Sequence, residues 1–212
     1  MAKQMSSSPW VKMWTKPRET IRSIVSIDPN YQIWWLAAVY GFPMLLNMSQ
    51  NMSFAASIPL LMILLIAAIF CAPIGMLGFM ITSALVHWTG KWLGGVGTFQ
   101  QIRAAIAWSN VTNLATSALW LLLVLVFGTD VFFKTFPQLP FEGASLAVVT
   151  IIFLLQTVLS IWSFVLLFQS LAEIQKFSVW RAILNIILPF VIVTIALWAV
   201  FVFVCWAIGM KS

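Results

Sequence analysis

PNYQIWWLAAVYGFPMLLNMSQNMSFAASIPLLMILLIAAIFCAPIGMLGFMITSALVHWTG, residues 29–90, contains no Asp, Glu, Lys or Arg. This run of 62 residues lies between Asp28 and Lys91. A helix needs about 20 apolar residues to cross a membrane, so the run holds two crossings and the turn between them. Asn47, Gln50 and Asn51 mark the end of the first. Working outward, residues 104–129, 143–172 and 182–210 are also charge-free, at 26, 30 and 29 residues. Each holds one more crossing. The expected fold is all-α: a polytopic transmembrane helical bundle of five spans, with short interfacial amphipathic helices.

Composition agrees. Charged residues make up 8% of the chain, hydrophobic ones 62%, and the mean hydropathy is +1.03. Soluble domains carry about 25% charged residues. A soluble enzyme, a disordered chain and an ordinary nucleic-acid-binding domain are excluded on this ground. The net charge of +6 reads as membrane orientation, because cytoplasmic flanks collect Lys and Arg. Cys71 and Cys205 lie in apolar runs at different expected depths, which argues against a disulfide. The opening residues are basic and Trp-rich, without the apolar core of a cleavable signal peptide.

The chain divides into a disordered N-terminus (1–8), a basic Trp-rich interfacial segment (9–30), a membrane domain (31–208) and a short tail (209–212). In the second part, Trp10, Trp14, Ile21, Ile24 and Val25 recur at roughly helical spacing. Lys12, Lys16, Arg18 and Arg22 fall largely between them. Pro9 and Pro17 suit the first turn of short helices, where a missing N–H costs nothing. Two readings fit: helices anchored on anionic lipid at the inner surface, or merely a positive flank before the first span.

The spans are expected near 33–48, 58–88, 110–127, 144–171 and 184–208. Pro43, Pro73 and Pro189 fall inside three of them and bend them. The second is longer than the hydrocarbon core requires, so it tilts or protrudes. Ala67, Cys71 and Gly75 form a small-residue stripe along it, the kind that lets a neighbouring helix come close. Asn110, Asn113 and Ser117 share a face of span three. Gln156, Ser160 and Ser163 share one on span four. Such faces usually hydrogen-bond between helices; the alternative is a polar cavity. Between spans two and three, Phe99, Ile102 and Ile106 mark a short interfacial helix. Residues 172–181 are expected to form an inner loop. With the N-terminus inside, nine of the eleven Lys and Arg fall on the inner side, against Lys134 and Lys211 outside. The C-terminus is then outside.

No catalytic constellation is legible. The chain has one His and five acidic residues, none in the middle of an expected span. His87, Cys71 and Cys205 lack the spacing of a zinc site. The turn at Gly94, Gly95 and Gly97 is not a phosphate loop, since no strand precedes it and the GxxxxGK[ST] spacing is absent. Neither cofactor nor metal is expected. An ion-coupled pump ordinarily uses ionisable groups buried in the membrane, and none is expected here. The best-patterned polar group is Gly94, Gly95, Gly97, Arg103, Glu173, Trp180 and Arg181. It reads either as solvated loop or as a docking surface for a partner or lipid head groups. Glu173 has candidate partners in Lys176 and Arg181.

Three strings carry a family resemblance: WTKPRETIRSIVSIDP at 14–29, KWLGGVGTFQQIRAAIAWS at 91–109 and IWSFVLLFQSLAEIQKFSVWRAILNIILP at 161–189. With Gly41, they resemble the bacterial branch of the Yip family, named after Ypt/Rab-interacting membrane proteins. The resemblance extends from about residue 14 to 205. One departure is Asn110-Val111-Thr112, where relatives place a proline. The resemblance implies a five-span Yip domain. Eukaryotic relatives act as Rab-binding adaptors and carry a long cytosolic arm; this chain has about 30 residues before span one, so Rab binding is not carried over. The expected role is a non-enzymatic organiser of protein or lipid partners at the cytoplasmic face of a bacterial inner membrane. An uncoupled channel, carrier or lipid-moving protein is the alternative. Expected partners are anionic membrane lipids and a membrane protein or second copy, with no nucleic acid.

Overall fold

The computed structural model describes residues 8–136 and 140–209. The N-terminal and C-terminal tails expected at 1–8 and 209–212 lie outside these residues, apart from Ser8 and Gly209. So does Pro137 in the loop after span three.

Among the described residues eight α-helices follow one another: α1 (Pro9–Thr15), α2 (Pro17–Ile27), α3 (Ile33–Asn51), α4 (Leu60–Trp92), α5 (Phe99–Ser109), α6 (Thr112–Phe127), α7 (Gly143–Gln175) and α8 (Val179–Gly209). Two short 3-10 turns lie at Phe54–Ala56 and Gly128–Phe132, and the described residues contain no strand. Prolines stand at the first turns of α1 and α2, where their fixed φ suits the helix. Thr98 and Gln101 start α5 with a reciprocal capping box.

Among the described residues, four helical stretches are long and apolar enough to cross a membrane: Leu60–Trp92, Phe99–Phe132, Gly143–Gln175 and Val179–Trp206. The α3 helix is outside this group. It is 19 residues long, and Trp34, Trp35, Tyr40, Asn47, Gln50 and Asn51 dilute its apolar run. Yet α3 and α4 form the most extensive helix pair in the molecule. At 33 residues, α4 is roughly 50 Å long, well beyond a hydrocarbon core. Pro43, Pro73 and Pro189 all sit inside their helices.

The expected loop at 172–181 is much shorter in the structure. Helix α7 continues to Gln175 and α8 starts at Val179. Lys176 makes the turn in a left-handed conformation, φ 57°. The Phe177 N–H closes back on the Ala172 carbonyl at 3.0 Å, satisfying an end of α7. Trp180 and Arg181 are therefore helical.

Two hydrophobic clusters hold the bundle, one at each end. At the first, Met13, Ile21 and Ile24 meet Ile33, Leu36, Ile102, Trp108, Leu166 and Leu171. Helix α2 thus packs onto α5 and α7. Each fully buried Ile contributes about 1.5–3 kcal/mol. Trp108 is completely buried here. Its Nε1 donates to the Tyr31 carbonyl at 3.2 Å, and its ring stacks on Tyr31 at 5.9 Å. At the second end, Leu45, Leu46, Ile63 and Ala67 pack with Trp120, Leu123, Phe132, Phe136 and Ile152. Helix α8 joins α4 and α7 only near its start, and from Val193 to Trp206 every side chain is exposed.

Candidate functional site

The glycine turn after α4 wraps around one side chain that the sequence reading passed over, Gln175. This residue is 1% exposed. Its Oε1 accepts the Gly97 N–H at 3.1 Å, and its carbonyl accepts the Val96 N–H at 3.4 Å. A Cβ on Gly95 would come within 2.2 Å of Gln175 Oε1, and one on Gly90 within 2.2 Å of Gln175 Nε2. A Cβ on Gly97 would meet Ile174 Cγ2 at 2.9 Å. Gly94 adopts φ +81°, a conformation glycine takes without strain. The glycines are thus shaped to receive the end of α7. Beside them Asn185, fully buried, places its Oδ1 2.8 Å from the Thr89 hydroxyl. The same hydroxyl lies 3.2 Å from the Asn185 carbonyl, which Pro189 leaves without its helical donor. Gln175, Asn185, Thr89 and Gly90 tie α4, α7 and α8 together.

The charged candidates separate. Arg103 turns away from the glycine turn. Its Nη2 donates to Asn30 Oδ1 at 3.0 Å, and its guanidinium lies 5.6 Å from the Trp34 ring and 5.3 Å from that of Phe99. Glu173, whose side chain is 9% exposed, accepts from Arg22 Nε at 2.8 Å and Lys176 Nζ at 2.9 Å. The hydrogen bond from Arg22, and then the carboxylate's charge, hold the guanidinium above its ordinary pKa. Arg181, the other partner considered for Glu173, is exposed, as is Trp180. Arg18 donates to Gln169 on α7. These contacts draw the N-terminal segment onto the second candidate group. Between them runs a groove of about 390 Å³ lined by Arg22, Val25, Ser26, Val96, Gln101, Glu173, Ile174 and Lys176. Lys12 and Lys16 are exposed, Lys16 3.8 Å from Glu19. Trp10 and Trp14 do not: they pack against the first cluster, Trp10 at 5.1 Å from Trp108.

The third candidate group lies along α4. Ala67 and Gly75 are buried, and Cys71 is half-buried. A Cβ on Gly41 would sit 2.0 Å from the Cys71 carbonyl oxygen. Backbones meet directly there.

A different site emerges deeper in the bundle. A cavity of about 390 Å³ is walled by Tyr40, Phe79 and Thr82, by Ile106, Ser109, Asn110, Thr112, Asn113 and Thr116, and by Gln156, Leu159, Ser160, Ser163, Phe164 and Leu167. It shares Tyr40, Asn113, Thr116 and Gln156 with a second cavity of about 310 Å³ that reaches Asn47, Gln50 and Trp120. The two make one track from the α5–α6 junction toward the far end, with uncharged hydroxyls and amides set in a largely apolar wall. No Asp, Glu, Lys or Arg lines it. The two polar faces of the sequence meet here, through Asn110 and Asn113 on one side and Gln156, Ser160 and Ser163 on the other. Across the gap they form one bond, Ser163 Oγ to the Ser109 carbonyl at 3.4 Å. Asn113 bonds instead to Asn110 on its own side at 3.2 Å. The Gln156 Nε2 is buried without a partner among the described residues.

Among the described residues no three His, Cys, Asp or Glu side chains gather as metal ligands. Cys71 and Cys205 are free.

The model of the Yip1 domain matches residues 11–201. The chain belongs to the Yip1 domain family. The match begins within α1 and ends within α8, so the Yip1 domain takes in the glycine cradle, the Arg22–Glu173 groove and the polar track alike. With its apolar helices of spanning length, this Yip1 protein is an integral membrane protein. The Yip1 family is not known as a family of enzymes. No curated protein and no solved structure matches the chain.

Proposed function

We propose that this Yip1 protein is a non-enzymatic organiser whose cytoplasmic face receives a protein or lipid partner. The carrying observation is the groove where α2 is fastened to the end of α7. Arg22 lines one place with Glu173 and Lys176, although it comes from a distant part of the chain, and Lys12, Lys16, Trp180 and Arg181 lie exposed on the same end. Anionic lipid suits the exposed cations, each worth about 1 kcal/mol near a charged surface. In this reading α3 is a fifth span, α1, α2 and α5 lie in the interface, and the N-terminus is inside. The charge count favours that orientation in a bacterial inner membrane.

The test is site-specific photocrosslinking from Trp180 and from Gln101 in native membranes. Partner crosslinks lost on Arg181→Ala or Lys176→Ala, with folding intact, support docking. Ion-gradient-driven solute uptake by the purified protein in liposomes would overturn it. A second reading, an uncoupled channel, carrier or lipid-moving protein, is favoured by the polar track.

A further inference from the structure

The polar track has walls of a particular kind. Side chains of Tyr40, Asn110, Asn113, Thr116, Gln156 and Ser160 offer hydroxyls and amides but no charge. An ionic head group entering this space would lose its hydration without a counter-charge, which strongly disfavours it. A neutral group with several hydroxyls would lose water and regain hydrogen bonds. Gln156 supplies a donor that the protein itself leaves unused. A buried donor without a partner is costly, so an acceptor offered to Nε2 is favoured.

The mouth tells from where such a group enters. Thr82 on α4 and Ser160 and Phe164 on α7 border the cavity and are exposed. Helices α4 and α7 meet at Gly90 and Gln175 and are not a packed pair along their length. Helix α8 touches both only near its start. The opening therefore faces sideways, where the exposed apolar side chains of α4 and α7 meet lipid. Phe79, Ile106, Leu159, Phe164 and Leu167 supply an apolar share of the wall. The site is amphipathic in the same sense as a lipid: hydroxyls and amides share its wall with apolar side chains.

We propose that the cavity between α3, α4, α6 and α7 binds the uncharged, hydroxyl-bearing head group of a membrane lipid, admitted laterally between α4 and α7. It stands on the cavity alone. Neither docking at the α1–α2 end nor movement of lipid across the bilayer is needed for it.

The probe is a photoreactive diacylglycerol, with the full-length protein in phosphatidylcholine nanodiscs. Crosslinks should map to α6 and to residues 153–167 of α7. Unlabelled diacylglycerol should compete, while phosphatidic acid of the same chain length should not. Gln156→Leu should weaken competition by about three- to tenfold, as expected for one hydrogen bond. Ser160→Trp, at the exposed mouth, should abolish labelling with the melting temperature retained. This second variant keeps the test intact if Gln156→Leu misfolds. Crosslinks elsewhere, equal competition by phosphatidic acid, or labelling indifferent to Ser160→Trp would overturn the proposal. Competition by free glycerol at the concentrations at which diacylglycerol competes would point to a small solute as occupant and overturn it as well.

Discussion

Gly75 and Gly41 face each other where α3 crosses α4, so closely that a Cβ on Gly75 would stand 2.3 Å from the Ala37 carbonyl oxygen. Backbone is what that Cβ would strike, and backbone cannot turn aside as a flexible side chain can. In a membrane, where lipid is as apolar as Leu, such close approach is a main source of helix association.

Gly75→Ala and Gly75→Leu should therefore lower the melting temperature in detergent, Leu more than Ala. Gly78 is the control. Nothing lies within 4 Å of a Cβ there. Gly78→Ala should leave melting unchanged or raise it, by up to about 1 kcal/mol of helix propensity. Equal losses at both positions would contradict the contact.

The cradle makes a paired prediction. Gly95→Ala should destabilise, because the new methyl collides with Gln175 Oε1. Gln175→Ala should also destabilise, by losing the Gly97 N–H bond, worth about 1 kcal/mol. The double variant removes the collision, so its loss should be smaller than the two single losses together. Strict additivity of the three melting shifts would count against the cradle.

Glu173 links α2 to α7 electrostatically. Glu173→Gln should loosen α2 and speed proteolysis between residues 16 and 28. Arg22→Glu should do the same, and Arg22→Glu with Glu173→Arg should restore much of the protection. Salt should accelerate cleavage of the wild type more than of Glu173→Gln. If cleavage rates do not change, the apolar contacts of Ile21 and Ile24 hold α2 without help.

Orientation is checked with single cysteines at Ser8 and Ser212 in a Cys71→Ser, Cys205→Ser background. The five-span arrangement predicts labelling from opposite faces of the membrane. Labelling of both from one side means that α3 does not cross.

How much of this was legible in the sequence depends on the kind of signal. Charge-free runs located the long helices within a few residues, because apolar length is a one-dimensional property. The loop expected at 172–181 is longer than the one that forms, since Trp180 and Arg181 look like loop residues until Lys176 is seen making the turn by itself. The Arg22–Glu173 pair joins positions 151 apart, and no local pattern announces it. Gln175 stood inside the quoted string LAEIQ without a role, because a buried amide is recognisable only once three glycines are found around it. The polar faces at Asn110–Asn113 and Gln156–Ser163 were visible as stripes. Whether such stripes bond together or stand apart is decided by helix separation, which the sequence of neither helix contains.

The parting of α8 from its neighbours after its first turns has a mechanical consequence. A span packed along its length must keep the bundle's tilt, whereas α8 beyond Pro189 meets few protein side chains. It can lean as the surrounding bilayer thickens or thins, with Pro189 as the pivot, at a cost of fractions of a kcal/mol per Å. The rest of the molecule would then keep one shape in membranes of different thickness, with the mismatch absorbed by a single outrigger.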